Sequence, residues 1–421
     1  MAKFIVEKSG PLRGEVSISG AKNSVLPILA ATLLTDDECI IDEVPDLKDV
    51  TILCSLLASL GVKIEKNLEN SSLTASAGQL ITNHAPEELV RMMRASILVM
   101  GPLLARTGKC VINLPGGCAI GERPVELHFK GLRAMGAQID ISESGVVTAT
   151  CDKLIGTTIY LDFPSVGATE NIITVAALAE GTTIIENAAQ EPEIIDLANF
   201  INKMGGKIKG AGTDTIKIEG VEKLHGTEHS VIPDRIEAGT FMLAAAITRG
   251  SILIKNIVPD HVKPIIAKLK ECGVDIYMTD DGMVVRGDVN PLISTDIKTL
   301  PYPGFPTDIQ SPFMAFLTTV QGRSIVIETV FENRFMHVLE LNSMGARIKT
   351  EGKCAIIEGS KKLHGTEVNA TDLRAGAALV LAGFVAEGQT IVSDIYHIER
   401  GYEKFIEKFA ALGGKITRIE D

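Results

Sequence analysis

Tryptophan is absent from this chain, and only 4% of its residues are aromatic. Alanine, glycine and isoleucine are plentiful instead, which suits tight packing of small-faced helices. The seven cysteines are scattered and odd in number, with no C-x-x-C pair. That excludes a disulfide framework and a structural zinc site, and it points to a reducing cytoplasm. Neither a complete P-loop nor a G-x-G-x-x-G is present, and H-E-x-x-H is missing. The sequence therefore calls for no cofactor and no metal. No uncharged apolar run is long enough to span a membrane; the longest, Ala375 to Ala386, is too short. The opening Met-Ala-Lys-Phe-Ile-Val-Glu-Lys lacks the apolar core of a signal peptide. A formal net charge of −12 argues against nucleic-acid binding, which wants a basic face. It leaves room for an anionic small substrate, because a local arginine cluster outweighs a distant acidic surface.

What the chain does have is internal repetition. Leu60-Gly61-Val62-Lys63-Ile64 recurs as Met135-Gly136-Ala137-Gln138-Ile139 and Met204-Gly205-Gly206-Lys207-Ile208. It recurs again as Cys272-Gly273-Val274-Asp275-Ile276, Met344-Gly345-Ala346-Arg347-Ile348 and Leu412-Gly413-Gly414-Lys415-Ile416. Each copy follows an amphipathic stretch and runs into an alternating one, so each reads as helix, C-terminal glycine, strand. Upstream of each lies a second helix of another character: 24–34, 94–105, 169–180, 236–248, 311–320 and 374–386. These are apolar nearly all round, and a helix without a polar face is buried on every side. One unit is thus strand, buried helix, strand, surface helix, then a pair of strands, over about 70 residues.

A TIM barrel would put its helices outside. Here the most hydrophobic elements are helices, so the layering is reversed: an inside-out α/β barrel, with helices central and sheets facing water. Six units exceed one core, because cores stop growing near about 250–300 residues. The economical division is two domains of three βαβαββ-like repeats. We expect residues 22–232 to form the first, and 1–21 with 233–421 the second. The active site is expected in the cleft between them, and the double crossing is expected to act as a hinge.

Asn113 to His128 reads N-L-P-G-G-C-A-I-G-E-R-P-V-E-L-H. Proline and paired glycines make it a loop. Cys118 sits in it outside any apolar periodic run, with Arg123 five residues on, and a nearby cation favours the thiolate.

These features resemble the enolpyruvyl transferases, and the likeness runs the whole length. It is carried by Ser19–Asn23, Arg94–Ser96, Pro115–Gly121, Arg123–His128, Ser165–Glu170, Glu191–Glu193, Tyr302–Asp308, Glu332–Phe335 and Asp372–Gly376. The Cys118 loop and the Arg-Pro-Val-Glu-Leu-His strip favour the branch whose acceptor is UDP-N-acetylglucosamine. The sister branch acting on shikimate 3-phosphate and a non-catalytic UDP-sugar-binding regulator stay open as rivals. The resemblance implies transfer of the enolpyruvyl group of phosphoenolpyruvate to the sugar 3-hydroxyl with release of phosphate. This would open peptidoglycan precursor synthesis, and with it cell-wall assembly, cell shape and division. The implied partners are those two small molecules.

The same resemblance implies the site residues. Lys22, Arg123, Arg374 and Arg400, with Arg94 and Arg334 close by, would hold the two anionic groups of phosphoenolpyruvate; arginine offers a bidentate fork for either. Lys22 also opens an apolar helix, whose free N–H groups attract phosphate. Cys118 would deliver a proton to the methylene carbon and can attach covalently at C2. Asp308 would take the proton of the sugar hydroxyl. Asp372 either orients catalytic groups or caps a buried helix. Arg123, Pro124, Val125, Glu126 and Leu127 would hold uridine. Ser165, Val166 and Gly167 precede a helix and would hold the diphosphate. Asn23, Asp308 and Val330 would meet the sugar, with Glu191 and Asp234 supporting. Some relatives carry a lysine two positions before Ser165, where this chain has Phe163; the diphosphate contact such a lysine would make is absent here.

Overall fold

The structure, a computed structural model, describes residues 2–67, 69–116, 120–121, 125–359 and 362–420. Contacts divide the chain into two units. One comprises Gly20–Cys118 and Arg123–Ile232; the other comprises Met1–Ser19, Ala119–Glu122 and Pro233–Asp421. Each has its own apolar core. The architecture is an α/β one of repeated sheets around buried helices, as the sequence leads one to expect.

The repeating element is a small sheet. In one copy, Thr158–Tyr160 pairs in parallel with Thr182–Glu186. The latter pairs antiparallel with Thr215–Glu219, and that strand with Lys207–Lys209. The parallel pair is bridged by the helix Val166–Ala176, and the second helix, Pro192–Lys203, leads into the hairpin. Parallel neighbours require such a crossover. The same strand order recurs at Ile297–Lys298, Arg323–Ile327, Cys354–Glu358 and Ile348–Glu351. Two sheets borrow a strand from far along the chain. Arg13–Ser17 lies parallel to Ser251–Lys255, and Glu228–Ser230 lies parallel to Glu38–Asp42. Another sheet is completed by Lys3–Glu7, which sits between Gln389–Ser393 and Lys415–Ile419.

The two helix types separate by burial as their sequences predict. Lys22–Ala31 buries nine of ten residues and Arg235–Ile247 buries twelve of thirteen, whereas Lys263–Glu271 buries only Ile265 and Leu269. The repeated glycines each follow the end of an amphipathic helix with positive φ, from 90° at Gly413 to 106° at Gly61. A side chain there would be strained, and this is why glycine recurs.

Some inner helices differ from their sequence bounds. The second is split into a 3-10 turn, Arg94–Val99, and a helix, Met100–Thr107, with Pro102 in its first turn. Proline lacks an N–H and costs least in a first turn. The third begins three residues earlier than its apolar run, because Ser165 caps it: Ser165 Oγ accepts from Ala168 N at 3.4 Å.

Two of these helices meet through a polar contact. Asn171 Oδ1 accepts from Gly101 N at 2.8 Å, and a Cβ on Gly101 would stand 2.5 Å from that same oxygen. Gly101→Ala must therefore push Met100–Thr107 away from Val166–Ala176. We expect a loss of about 1–3 kcal/mol in urea unfolding, the usual size of an overpacked core.

Candidate functional site

The residues implicated by sequence gather at helix starts. Lys22 and Asn23 open the helix Lys22–Ala31, and Arg94 opens the 3-10 turn before Met100–Thr107. Ser165 caps Val166–Ala176, which Val166 and Gly167 begin. Asp234 caps Arg235–Ile247, accepting from Ile236 N and Glu237 N. Asp308 lies on the turn before Gln310–Leu317. Asp372 caps Leu373–Gly383, accepting from Arg374 N and Ala375 N at 2.7 and 3.0 Å. All six inner helices thus begin with a candidate residue. A helix start carries unpaired N–H groups and about half a positive charge, so it favours anions.

In the unit of residues 233–421, these starts converge. Asp308 Oδ1 accepts from Arg334 Nη2 at 2.7 Å, and Asp308 Oδ2 from Arg374 Nη2 at 3.4 Å. Both guanidinium groups are fully buried. Burial works against the charge of Arg374, but the oxygens of Tyr402, Asp308 and Asp234 outweigh it and hold its pKa above the ordinary arginine range. The guanidinium lies 5.2 Å from the centre of the Tyr402 ring, and the Tyr402 hydroxyl is 3.0 Å from Thr240 Oγ1. Arg334 also donates to Thr307 Oγ1 at 3.3 Å. Three donors, Arg334 Nε, Arg374 Nε and Arg374 Nη1, are buried without a hydrogen-bond partner among the described residues. A planar cation with open donors binds carboxylate or phosphate oxygens.

Beside this cluster stands His337, fully buried, with its pKa pushed down to about 4 by burial and by Arg334, against the pull of Asp372. Val330 is half-buried, and its N–H donates to Glu328 Oε1 at 2.8 Å. Arg400 caps the C-terminal end of Tyr396–Glu399.

In the other unit, Lys22 is buried and its Nζ lies 2.7 Å from Asp49 Oδ2. Sequence gave no sign of Asp49; its proximity arises only when Lys48–Ser59 packs on Lys22–Ala31. Ser24, one turn into the same helix, donates to Asp196 Oδ2 at 2.5 Å, and Asp196 Oδ1 meets His229 Nε2 at 2.8 Å. Glu170 is held well above the carboxylate range by burial, then by Glu193 and Glu191. Val125 precedes the helix Glu126–Ala134, so Val125 to Leu127 form a helix start; the Glu126 carboxylate lies 3.6 Å from Arg133 along that helix. His128 is buried, and burial and Arg94 push its pKa down to about 4. Phe163 is 42% exposed and leaves no cation at that position. Cys118, Arg123 and Pro124 lie outside the described residues. Ile120, just beyond Cys118, belongs to the unit of residues 233–421, where it is buried and Asn333 N donates to its carbonyl at 3.1 Å.

Burial holds the pKa values of His128 and His337 below the ordinary 6.5, which favours the neutral rings. A depressed folded pKa gives stability that is complete above 6.5 and lost as pH falls toward 4. We expect urea unfolding at pH 7, 6, 5 and 4 to show a steady fall, on the order of 3 kcal/mol per histidine. A flat profile would mean that the rings protonate freely.

A family model described as EPSP synthase (3-phosphoshikimate 1-carboxyvinyltransferase) matches residues 6–409. UDP-N-acetylglucosamine 1-carboxyvinyltransferase 1 of Caldanaerobacter subterraneus subsp. tengcongensis is 60% identical, over 99% of either chain. The chain belongs to the enolpyruvyl transferase family. UDP-N-acetylglucosamine 1-carboxyvinyltransferase 2 of Carboxydothermus hydrogenoformans is 57% identical over 100% of both chains, and the enzyme of Finegoldia magna 55% over 99% and 98%. Among solved structures, the enolpyruvyl transferase NikO of Streptomyces tendae superposes with a TM-score of 0.90 at 24% identity, covering 99% of this chain and 98% of that one. EPSP synthase of Acinetobacter baumannii gives 0.78 at 20% identity, with both chains covered in full. These likenesses show the fold. No helix among the described residues is long and apolar enough to cross a membrane.

Proposed function

We infer that this chain transfers the enolpyruvyl group of phosphoenolpyruvate to the 3-hydroxyl of UDP-N-acetylglucosamine, releasing phosphate. This is the first committed step of peptidoglycan precursor synthesis, carried out in the cytoplasm. The observation that carries the reading is identity of 54–60% along the full chain to relatives that bear this activity in their names. The chemistry of the site supports it. Phosphoenolpyruvate brings a phosphate and a carboxylate, and the open donors of Arg334 and Arg374 suit such oxygens. Lys22, Arg94, Arg123 and Arg400 are the further cations of this reading.

Two proton transfers are needed. Asp308 takes the proton from the sugar hydroxyl as its oxygen bonds to C2 of phosphoenolpyruvate, while Cys118 gives a proton to C3. The resulting adduct loses phosphate as C3 gives its proton back, which restores the double bond. Two guanidinium groups on its oxygens fix the orientation of Asp308 for the first task. Asn23 and Val330 meet the sugar, Val125 to Leu127 with Arg123 and Pro124 the uridine, and Ser165 to Gly167 the diphosphate. Asp372 holds the start of the helix that carries Arg374.

The test is phosphate release from phosphoenolpyruvate with and without UDP-N-acetylglucosamine, with shikimate 3-phosphate as the rival acceptor. Release that requires the nucleotide sugar supports the reading. Release with shikimate 3-phosphate alone would overturn the acceptor. Binding of the nucleotide sugar without turnover would overturn catalysis and favour a regulator.

A further inference from the structure

One buried polar side chain, His128, has no part in the scheme above. It follows the uridine strip, on the second residue after Glu126 in the helix Glu126–Ala134. It is 6% exposed. Its only side-chain hydrogen bond among the described residues is at Nδ1, 2.8 Å from Asn171 Nδ2.

The network fixes which ring nitrogen carries the proton. Asn171 Oδ1 accepts from the Gly101 amide at 2.8 Å, and Asn171 Nδ2 donates to the Ile97 carbonyl at 3.0 Å. The amide therefore cannot be turned round without setting two donors and two acceptors against each other. Asn171 Nδ2 must donate to His128 Nδ1 as well. The single proton of the neutral ring is then on Nε2, which becomes a donor.

That donor faces a helix start. The Cε1–Nε2 edge of the ring lies against Gly167: a Cβ there would meet Cε1 at 3.2 Å and Nε2 at 3.3 Å. Ser165 Oγ satisfies the Ala168 amide. The amides of Val166 and Gly167, in the first turn, have no carbonyl of their own helix to reach. No cation stands at Phe163, the nearest side chain upstream of the Pro164–Ser165 step.

We propose that His128 donates its Nε2–H to an anionic oxygen of the nucleoside diphosphate, beside the Val166 and Gly167 amides. The proposal rests on the reading that the 165–167 helix start holds the diphosphate of a UDP-sugar. The recognition is uncharged. A neutral ring and two amides hold the anion by direction, with the helix dipole behind them. Gly167 belongs to the same arrangement, since any side chain there would press on the ring that makes the bond.

The experiment uses the full chain and two variants, His128→Phe and His128→Gln, with UDP and uridine as probes in calorimetry or NMR titration. Phenylalanine keeps the ring volume and removes the donor, while glutamine puts an amide N–H near the place of Nε2. A hydrogen bond to a charged group supports a loss of about tenfold to a hundredfold in UDP affinity for His128→Phe, with uridine changed by no more than about twofold. His128→Gln should recover most of that loss. In turnover, KM for UDP-N-acetylglucosamine should rise while kcat stays within about threefold. In the wild type, UDP should shift the side-chain ¹⁵N resonance of His128 Nε2, and uridine should leave it in place. Equal weakening of UDP and uridine would mean that His128 only supports the fold, and would overturn the proposal. Unchanged UDP affinity in His128→Phe, or a wild type that binds UDP no better than uridine, would overturn it too. Failure of phosphate release, with the UDP-against-uridine difference intact, would sink the enzyme reading alone.

Discussion

Cys118→Ala should lower kcat by about a hundredfold to ten-thousandfold, the share that a positioned proton donor contributes. On this reading the sulfur gives a proton to carbon and takes it back. Alanine keeps the loop's length and removes only that capacity, so binding of both substrates should persist. Steady-state phosphate release measures the first effect, and calorimetry with UDP-N-acetylglucosamine the second. An epoxide of the fosfomycin type should alkylate this thiol in preference to others. Cys39, Cys110 and Cys272 are buried, and burial raises their pKa values, which suppresses thiolate. Full activity in Cys118→Ala, or mass-spectrometric labelling at another cysteine, would remove Cys118 from the mechanism.

Asp308→Asn carries the second large effect, and it acts on rate and on stability together. The side chain keeps its size but can neither take the hydroxyl proton nor balance Arg334 and Arg374. Loss of the base should cost about a hundredfold or more in kcat. Removing one partner from a buried charge cluster costs about 3–5 kcal/mol, so the unit of residues 233–421 should unfold at lower denaturant. Asp308→Glu separates the two contributions: it restores the charge but displaces the oxygens, so stability should recover further than turnover does. A drop in stability with kcat unchanged would make Asp308 a structural counter-ion and require another base.

The repeat was legible because each copy writes its chemistry into the chain. The glycines at 61, 136, 205, 273, 345 and 413 follow helix ends that demand positive φ. The inner helices declare themselves by having no polar face. What escaped was whatever packing decides. Lys22 reads as an open cation until Asp49 arrives from the next helix. The 3-10 turn at Arg94 was hidden by an apolar run that continues unbroken into Met100–Thr107. Tyr402 carries no sequence sign of lying over Arg374, because only packing within the sixth repeat brings the two together. In the sequence His128 is only the last letter of a motif; the contacts of Asn171 with Gly101 and with the ring are what fix its proton.

Lys3 sits opposite Ile419, and Glu7 opposite Lys415, in one sheet. Lys3–Glu7 is therefore synthesised long before its partner Lys415–Ile419, and waits for it. At about 5–20 residues per second, the wait on the ribosome is roughly 20–80 s. During it, Phe4 and Val6, both buried in the finished sheet, have no neighbours to cover them. The unit of residues 20–232 can close meanwhile, so biogenesis is stepwise, and Lys3–Glu7 is the stretch with most need of a chaperone. The same pairing sets Lys3 beside Ile419, so a short linker could join these two strands and new ends be opened at an exposed hairpin such as Asp280–Asp281.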